Sequence, residues 1–441
     1  MYSSIVKHII LPLTDYFLGL SISKELKTIQ AVQWHSKEEL KNLQLIKLKN
    51  ILAHSGRNVP YYSEIFKNNG IQIEGNPLDE FKKIPFLTKK IIKNNLPDNI
   101  LDNKRTIYTE EKTSGSSGHQ GVYYLDKLAY SSVIAVQSLW WEWSGFRFGD
   151  KVLQTGMTLD RGFVKSLKDW LLRVNYTQAF SMDDKAIREN LLPFQRKTAY
   201  FMGYASSLYT YAQYAERKKI KNIKFESVVS WGDKMFPHYR KLIEKVFHTV
   251  VYDTYGAAEG LMIAAECEKH NYHIMTPHVF VEILDEDGQE VKEGEIGEIF
   301  VTSLTNYLMP LIRYKIGDLA VKARKDRVCS CGRKLPILEK IIGRDTDIIY
   351  SPKGKALIVH FFTGILEHME EIKQFQVYQK SRGSKIEIKY RKSNGFDSAV
   401  LEKLKLDIYK KAEEEFPIIF TEVEKIPPSP SGKPQIIIRG Y

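Results

Sequence analysis

Short apolar runs alternate with helical patterns through the middle of the chain, and that rhythm restricts the fold more than any other feature. Lys151–Leu153, Thr198–Met202, Ser227–Ser230 and Thr249–Tyr252 read as strands, and Ala205–Lys219 and Pro237–Phe247 read as helices between them. Strands spaced in this way pair in parallel and send their crossover helices over the faces of the sheet. Upstream, residues 36–70 read as mostly helix, with Leu40, Leu43, Leu48, Ile51 and Leu52 near helical spacing and a stop at Val59-Pro60-Tyr61-Tyr62. Ser131–Trp143 is a second apolar helix, stopped by Gly145. After Val279 the texture turns to hairpins, with an Asp-Gly turn inside VEILDEDGQEV. From about Gly343 a strand, a helix over Ser398–Glu415 and a final apolar run suggest a small α+β unit. The expected class is α/β: a large domain of layered sheets and helices over 1–342, then a small α+β domain over 343–441.

Charge and cysteine content narrow the setting. Lys and Arg number 65 against 53 Asp and Glu, a net charge of +12 that suits anionic partners such as nucleotides. The basic run Arg217–Lys224 lacks interleaved aromatic residues, so it reads as a solvated helix end rather than a nucleic-acid surface. Only 3 cysteines in 441 residues point to a reducing, cytoplasmic setting. No stretch is long and uncharged enough to span a membrane, and no secretory leader pattern is present. The first twenty residues are apolar in places, interrupted by Lys7, His8 and Asp15, with Pro12 expected to break a helix. They read as an amphipathic segment packed on the body, the sharper alternative being weak attachment to a membrane surface.

Five short elements carry the chemistry. Thr113-Ser114-Gly115-Ser116-Ser117-Gly118 can curl so that backbone N–H groups and hydroxyls surround phosphate oxygens, although it is not a Walker loop. Tyr252-Asp253-Thr254-Tyr255-Gly256-Ala257-Ala258-Glu259-Gly260 follows an apolar strand. In Pro310-Leu311-Ile312-Arg313-Tyr314-Lys315-Ile316-Gly317-Asp318, an acid after a glycine at a strand end is placed to bind ribose hydroxyls. Gly343-Arg344-Asp345-Thr346-Asp347 and Pro430-Ser431-Gly432-Lys433 complete the set.

In order and spacing these elements resemble the AMP-forming adenylating enzymes of the acyl-CoA synthetase superfamily, nearest to the phenylacetate–CoA ligase-like branch with its CapK-type capsular polysaccharide proteins. Ala53-His54-Ser55-Gly56-Arg57-Asn58-Val59-Pro60-Tyr61-Tyr62, Ile84-Pro85-Phe86-Leu87-Thr88-Lys89 and Gly203-Tyr204-Ala205-Ser206-Ser207-Leu208 match segments typical of that branch. The resemblance implies that Ser114, Gly115, Ser116, Ser117 and Gly118 hold the ATP phosphates and that Tyr255 and Gly256 flank adenine, with Gly232 and Asp233 beside it. It implies Mg²⁺ on Glu259, the ribose on Asp318 with help from Arg344, and Lys433 at the α-phosphate and the substrate carboxylate. Tyr204 and Met157 would face the acyl pocket. The implied reaction activates a small carboxylic acid as its adenylate and passes the acyl group to coenzyme A or an amine, and the C-terminal domain acts as a mobile lid. A hydroxyl-directed adenylyltransferase and a non-catalytic nucleotide-binding scaffold in polysaccharide assembly are the alternatives. The chain departs from the family pattern at His119-Gln120-Gly121 in the phosphate loop and at Ala258 before the metal-binding glutamate. It departs also at Thr346, where a hinge aspartate is usual, flanked here by Asp345 and Asp347.

Cys329-Ser330-Cys331-Gly332 forms a tight pair, and Cys267 lies upstream with His273 six residues on. Three thiols and one imidazole make a closed tetrahedral Zn²⁺ set, expected to be structural, with His270 and His278 as rival fourth ligands. The resemblance supports the set, since some members of the same branch carry cysteines and a histidine here. Trp140, Trp141 and Trp143 end an apolar helix and read as core.

Overall fold

The computed structural model describes residues 2–112, 121–157, 162–180, 182–344, 348–366, 369, 371–393, 395–427 and 435–441. The chain divides into two compact units, Met1–Ile316 with Ala320–Lys340, and Gly317–Leu319 with Ile341–Tyr441.

In chain order the first thirteen strands are β1 (Thr109–Lys112), β2 (Val122–Leu125), β3 (Val152–Gly156), β4 (Val174–Gln178), β5 (Tyr200–Tyr204), β6 (Val228–Trp231), β7 (Val251–Ala257), β8 (Leu261–Glu266), β9 (Tyr272–Ile274), β10 (Val279–Leu284), β11 (Ile296–Ser303), β12 (Tyr314–Lys322) and β13 (Ile337–Arg344). β1 and β2 form an antiparallel ribbon, and the segment between them, 113–120, lies outside the described residues. The other eleven make one sheet in the order β10-β11-β12-β13-β9-β8-β7-β6-β5-β3-β4. The rhythm of the middle of the chain appears as expected: β3, β4, β5, β6 and β7 pair in parallel. β4 is an addition, because its sequence Val-Asn-Tyr-Thr-Gln has too few apolar residues to stand out. At β7 the sheet changes sense, since β8 returns antiparallel to it.

Local signals place the helices. Ser36 caps Lys37–Asn58 through a reciprocal capping box with Glu39, and Pro60 opens the next helix, Pro60–Asn68. The apolar helix Lys127–Trp143 buries Leu139, Trp140 and Trp143 in the core beside β3 and β5, in keeping with their reading as core. A second core fills the space between β5, β6 and the helices Ala205–Arg217 and Pro237–Phe247, around Phe201, Phe225 and Phe247.

Pro12 does not break the N-terminal helix. The chain is helical over Tyr2–Ile5, passes through a π turn at Val6–Ile10 and continues over Leu11–Leu18. Proline sits at the second position of that last segment, where its missing N–H is tolerated, and the wider turn before it relieves the ring's clash with the preceding carbonyls.

The smaller unit has a four-stranded sheet, built from β16 (Ile372–Gln379), β17 (Ile386–Lys392), β18 (Ile418–Glu422) and β19 (Ile437–Arg439) in the order β18-β17-β16-β19. It also has the two-stranded ribbon β14 (Ile348–Tyr350) with β15 (Ala356–Ile358). The helix Ala399–Ala412 turns Leu404, Ile408 and Ala412 inward.

His278 bridges the turn after β7 to the segment after β11. Its Nε2–H donates to the Gly260 carbonyl at 3.1 Å and its Nδ1 accepts from Thr305 Oγ1 at 3.0 Å. Acceptance at Nδ1 requires the neutral ring, and burial lowers the imidazole pKa to about 4 although the Gly260 contact opposes this. Unfolded, the ring titrates near 6.5. Its stabilisation is therefore complete above pH ~6.5 and is lost as pH falls through about 4. An NMR titration of the His278 ring should show the neutral form down to pH ~5, and acid unfolding should steepen in that window by roughly 2–4 kcal/mol.

Candidate active site

At β7 the pairing changes from parallel with β6 to antiparallel with β8, and the strand ends in a turn. The register slips between Tyr255 and Gly256, and a Cβ on Gly256 would lie 2.7 Å from the Leu261 carbonyl, so only glycine permits this bulge. The turn that follows carries Glu259, which is 5 % exposed. Its Oε1 accepts from the Tyr314 hydroxyl at 2.8 Å, and the Tyr314 and Tyr123 hydroxyls lie 2.9 Å apart. Burial and the Glu259 charge push both phenols well above the tyrosine range, so they remain neutral donors. Tyr123 stands on β2, and a Cβ on Gly121 would lie 2.7 Å from its ring.

Two motif segments converge on the stretch that presents Tyr314. The Tyr62 hydroxyl donates to the Pro310 carbonyl at 2.8 Å and accepts from the Ile312 N–H at 3.2 Å. Leu87 exchanges backbone hydrogen bonds with Arg313 and Lys315. Arg313 itself is 6 % exposed and lies in the left-handed region at φ 49°. Its guanidinium pairs with Glu282 at 2.9 Å and donates to the carbonyls of Lys82 and Ile84. Motif spacing assigns no role to Tyr123, Tyr314 or Arg313. Their partners lie far away in the chain, and no local pattern announces them.

Gly232, Asp233 and Tyr204 meet at the ends of β5 and β6. Gly232 has φ 78°, and a Cβ there would lie 2.4 Å from the Tyr204 ring. Asp233 accepts from the Ser206 N–H at 3.2 Å and from the Ser206 hydroxyl, at the start of the helix Ala205–Arg217. Burial, with Asp233 nearby, pushes the Tyr204 phenol up to about 12. Met157 is half exposed after β3. Beneath β7 lies an ionic network to which the sequence motifs assign no role. Asp253 accepts from the hydroxyls of Ser230 and Tyr272, while Glu266 accepts two bonds from Arg240 at 2.8 Å and one from the Asp253 N–H at 3.0 Å. Burial and the neighbouring Glu266 push the Asp253 carboxyl up to about 7. Burial opposes ionisation of Glu266, but His270 and Arg240 hold it below the usual carboxylate range.

Cys267, His273, Cys329 and Cys331 gather so that their ligand atoms all lie within 4.8 Å of one another. Cys267 Sγ is 3.6 Å from Cys329 Sγ, and Cys331 Sγ is 3.3 Å from His273 Nε2. A tetrahedral ion with sulfur bonds of ~2.3 Å asks for edges of this order. His273 Nδ1 donates to the Leu335 carbonyl at 3.1 Å, which leaves Nε2 facing the thiols as a metal would need. The rival histidines are engaged elsewhere, His270 with Glu266 and Arg240 and His278 with Gly260 and Thr305.

In the smaller unit Asp318 and Arg344 form an ion pair at 3.9 Å. Ser114, Gly115, Ser116, Ser117, Gly118, the Asp345–Asp347 segment and Lys433 lie outside the described residues.

Known proteins agree with this architecture. Residues 349–440 match the CapK C-terminal domain. Protein CapK of Staphylococcus aureus is 26 % identical over 97 % of this chain and 97 % of its own length. The phenylacetate-coenzyme A ligase of Thermus thermophilus is 24 % identical over 71 % of this chain and 72 % of its own. A crystal structure of 2-hydroxyisobutyryl-CoA ligase in the postadenylation state with R3-HIB-AMP shares the fold, with a TM-score of 0.74 at 17 % identity over 92 % of this chain and 90 % of that one. The chain is thus similar in sequence to protein CapK and to phenylacetate-coenzyme A ligases, carries a CapK C-terminal domain, and shares the fold of 2-hydroxyisobutyryl-CoA ligase.

Proposed function

We propose that the protein is an AMP-forming carboxylate-activating ligase: ATP and a carboxylic acid give an acyl-adenylate and pyrophosphate, and the acyl group then passes to coenzyme A or an amine. The observation that carries this reading is the buried Glu259 carboxylate, held by Tyr314 in the turn after β7, where the sheet changes sense. A carboxylate is a poor nucleophile toward a polyanion, so the site has to screen charge and fix geometry. Glu259 is suited to hold Mg²⁺, which would neutralise phosphate charge. A phenol that stays neutral orients the carboxylate without competing for its charge. The loop Ser114–Gly118 would cradle the phosphates, Tyr255 would lie along adenine with Gly232, Asp233 and Gly256 beside it, and Asp318 with Arg344 would take the ribose. Lys433 would bring its ammonium to the α-phosphate and the attacking carboxylate, from a C-terminal domain (343–441) that presents it for this step alone. Tyr204 would border the acyl pocket. The resemblance to CapK-type proteins suggests that the product serves surface polysaccharide assembly in the cytoplasm.

The cysteine cluster is proposed to hold structural Zn²⁺. The donor set fits: three thiols and an oriented imidazole, all four groups buried or half-buried. The ion would tie the β8–β9 turn to the Cys329–Cys331 turn, away from substrate.

Pyrophosphate exchange dependent on an added carboxylic acid is the decisive assay. Exchange with none of a broad acid panel would favour the nucleotide-binding scaffold instead. Lys433→Ala should lower exchange by about 10²–10³-fold yet still consume a presynthesised acyl-adenylate with the acceptor. Near-normal exchange in this variant would remove Lys433 from its role. Asp318→Ala should weaken ATP binding by about 1–3 kcal/mol, measured by calorimetry, and an unchanged affinity would displace the ribose from this residue. Elemental analysis of protein purified without chelator should find about one Zn²⁺ per chain. Chelation should lower the melting temperature before it lowers activity, and absence of stoichiometric metal would reject the assignment.

A further inference from the structure

The N-terminal helical run is apolar on two sides. Val6 is buried, with Tyr2, Ile10 and Leu11 packed against the core. On the other side Ile5, Ile9, Leu13, Tyr16 and Phe17 recur at helical spacing, and each is at least 40 % exposed, Tyr16 and Phe17 reaching 81 % and 78 %. A helix that is apolar nearly all round does not face water on one side without a second partner. The helix Gly162–Leu171 repeats the pattern, exposing Leu167 and, at 74 %, Trp170. The two helices adjoin: the Tyr2 hydroxyl donates to the Leu171 carbonyl at 2.6 Å, and the Arg173 guanidinium lies 4.5 Å from the Tyr2 ring.

Charge identifies the partner. Each helix contains one carboxylate, Asp15 or Asp169, and both are turned inward at 7 % exposure. Asp15 there accepts from the Ser23 N–H at 2.7 Å. What the two helices show to solvent is largely apolar and basic, including Lys165 and Lys168. The cleft where they meet is lined by Tyr2, Trp170, Lys151, Arg173 and Lys197, with Asp169 as its acid. A second copy of the chain would bring these lysines against their own images, which is repulsive. An anionic bilayer supplies both halves of the match, hydrocarbon for the stripe and phosphate for the cations, with aromatic side chains at the boundary.

We propose that the protein docks on an anionic membrane surface through Ile5, Ile9, Leu13, Tyr16, Phe17, Leu167 and Trp170, with the flanking lysines against lipid phosphates. This inference is independent of the ligase reading, since none of these residues belongs to the candidate active site. The test is cosedimentation of the full chain with vesicles of phosphatidylcholine alone or of roughly three parts phosphatidylcholine to one part phosphatidylglycerol. Binding to the anionic vesicles, weakened by salt, is expected, together with a blue shift of tryptophan emission that Trp170→Phe removes. Ile9→Ser/Leu13→Ser/Phe17→Ser and Lys165→Glu/Lys168→Glu should each weaken vesicle binding by about tenfold or more. Unchanged melting temperature and unchanged ATP affinity in those variants will show that the fold is intact. Absence of binding to the anionic vesicles, or equal binding of wild type and both variants, overturns the proposal. So does a dimer in analytical ultracentrifugation that the triple serine variant dissociates while wild type ignores vesicles, which would assign the face to a second copy.

Discussion

The hydrogen bond from Tyr314 to Glu259 is the contact on which the candidate site depends. A buried carboxylate is costly unless something donates to it. Here the donor is a phenol whose own ionisation is suppressed by burial and by the very charge it serves. Tyr314 is in turn held in place by Leu87, and the segment before it by Tyr62, and Tyr123 joins it to the ribbon of β1 and β2. The position of one oxygen pair is thus set by the helix Pro60–Asn68, the segment before Lys89, β2 and β12.

Much of this architecture is legible in the amino-acid sequence. The period of apolar residues marks the parallel strands and their helices, because crossover units repeat a simple local pattern. Val59-Pro60 marks a helix boundary because the residue before a proline is driven out of the helical region. The cysteine spacing marks a metal set, and the geometry chooses His273 over its two rivals through a carbonyl contact that no spacing reveals. What stays hidden are pairings across the fold. Asp253, Arg240 and Glu266 come from two strands and a helix, and each reads alone as an ordinary charged residue. Pro12 departs from expectation for a related reason: the rule that proline ends a helix omits the π turn that makes room for it.

The buried ionic network under β7 ties two strands and a helix together just upstream of the candidate site. Glu266 receives Arg240 and the backbone of Asp253, and Asp253 receives Ser230 and Tyr272. These bonds lie just upstream of Tyr255, so the strand reaches the bulge at Gly256 and the turn at Glu259 with its direction already fixed. Networks of this kind are costly when one member is missing and specific when all are present.

All 3 thiols of the chain belong to the cysteine cluster, two of them buried and one half-buried. Any reagent that consumes sulfhydryl groups therefore reports on this one corner of the molecule and nowhere else. The rate and stoichiometry of its reaction become a gauge of how that corner opens, readable in native solution without a label placed by design.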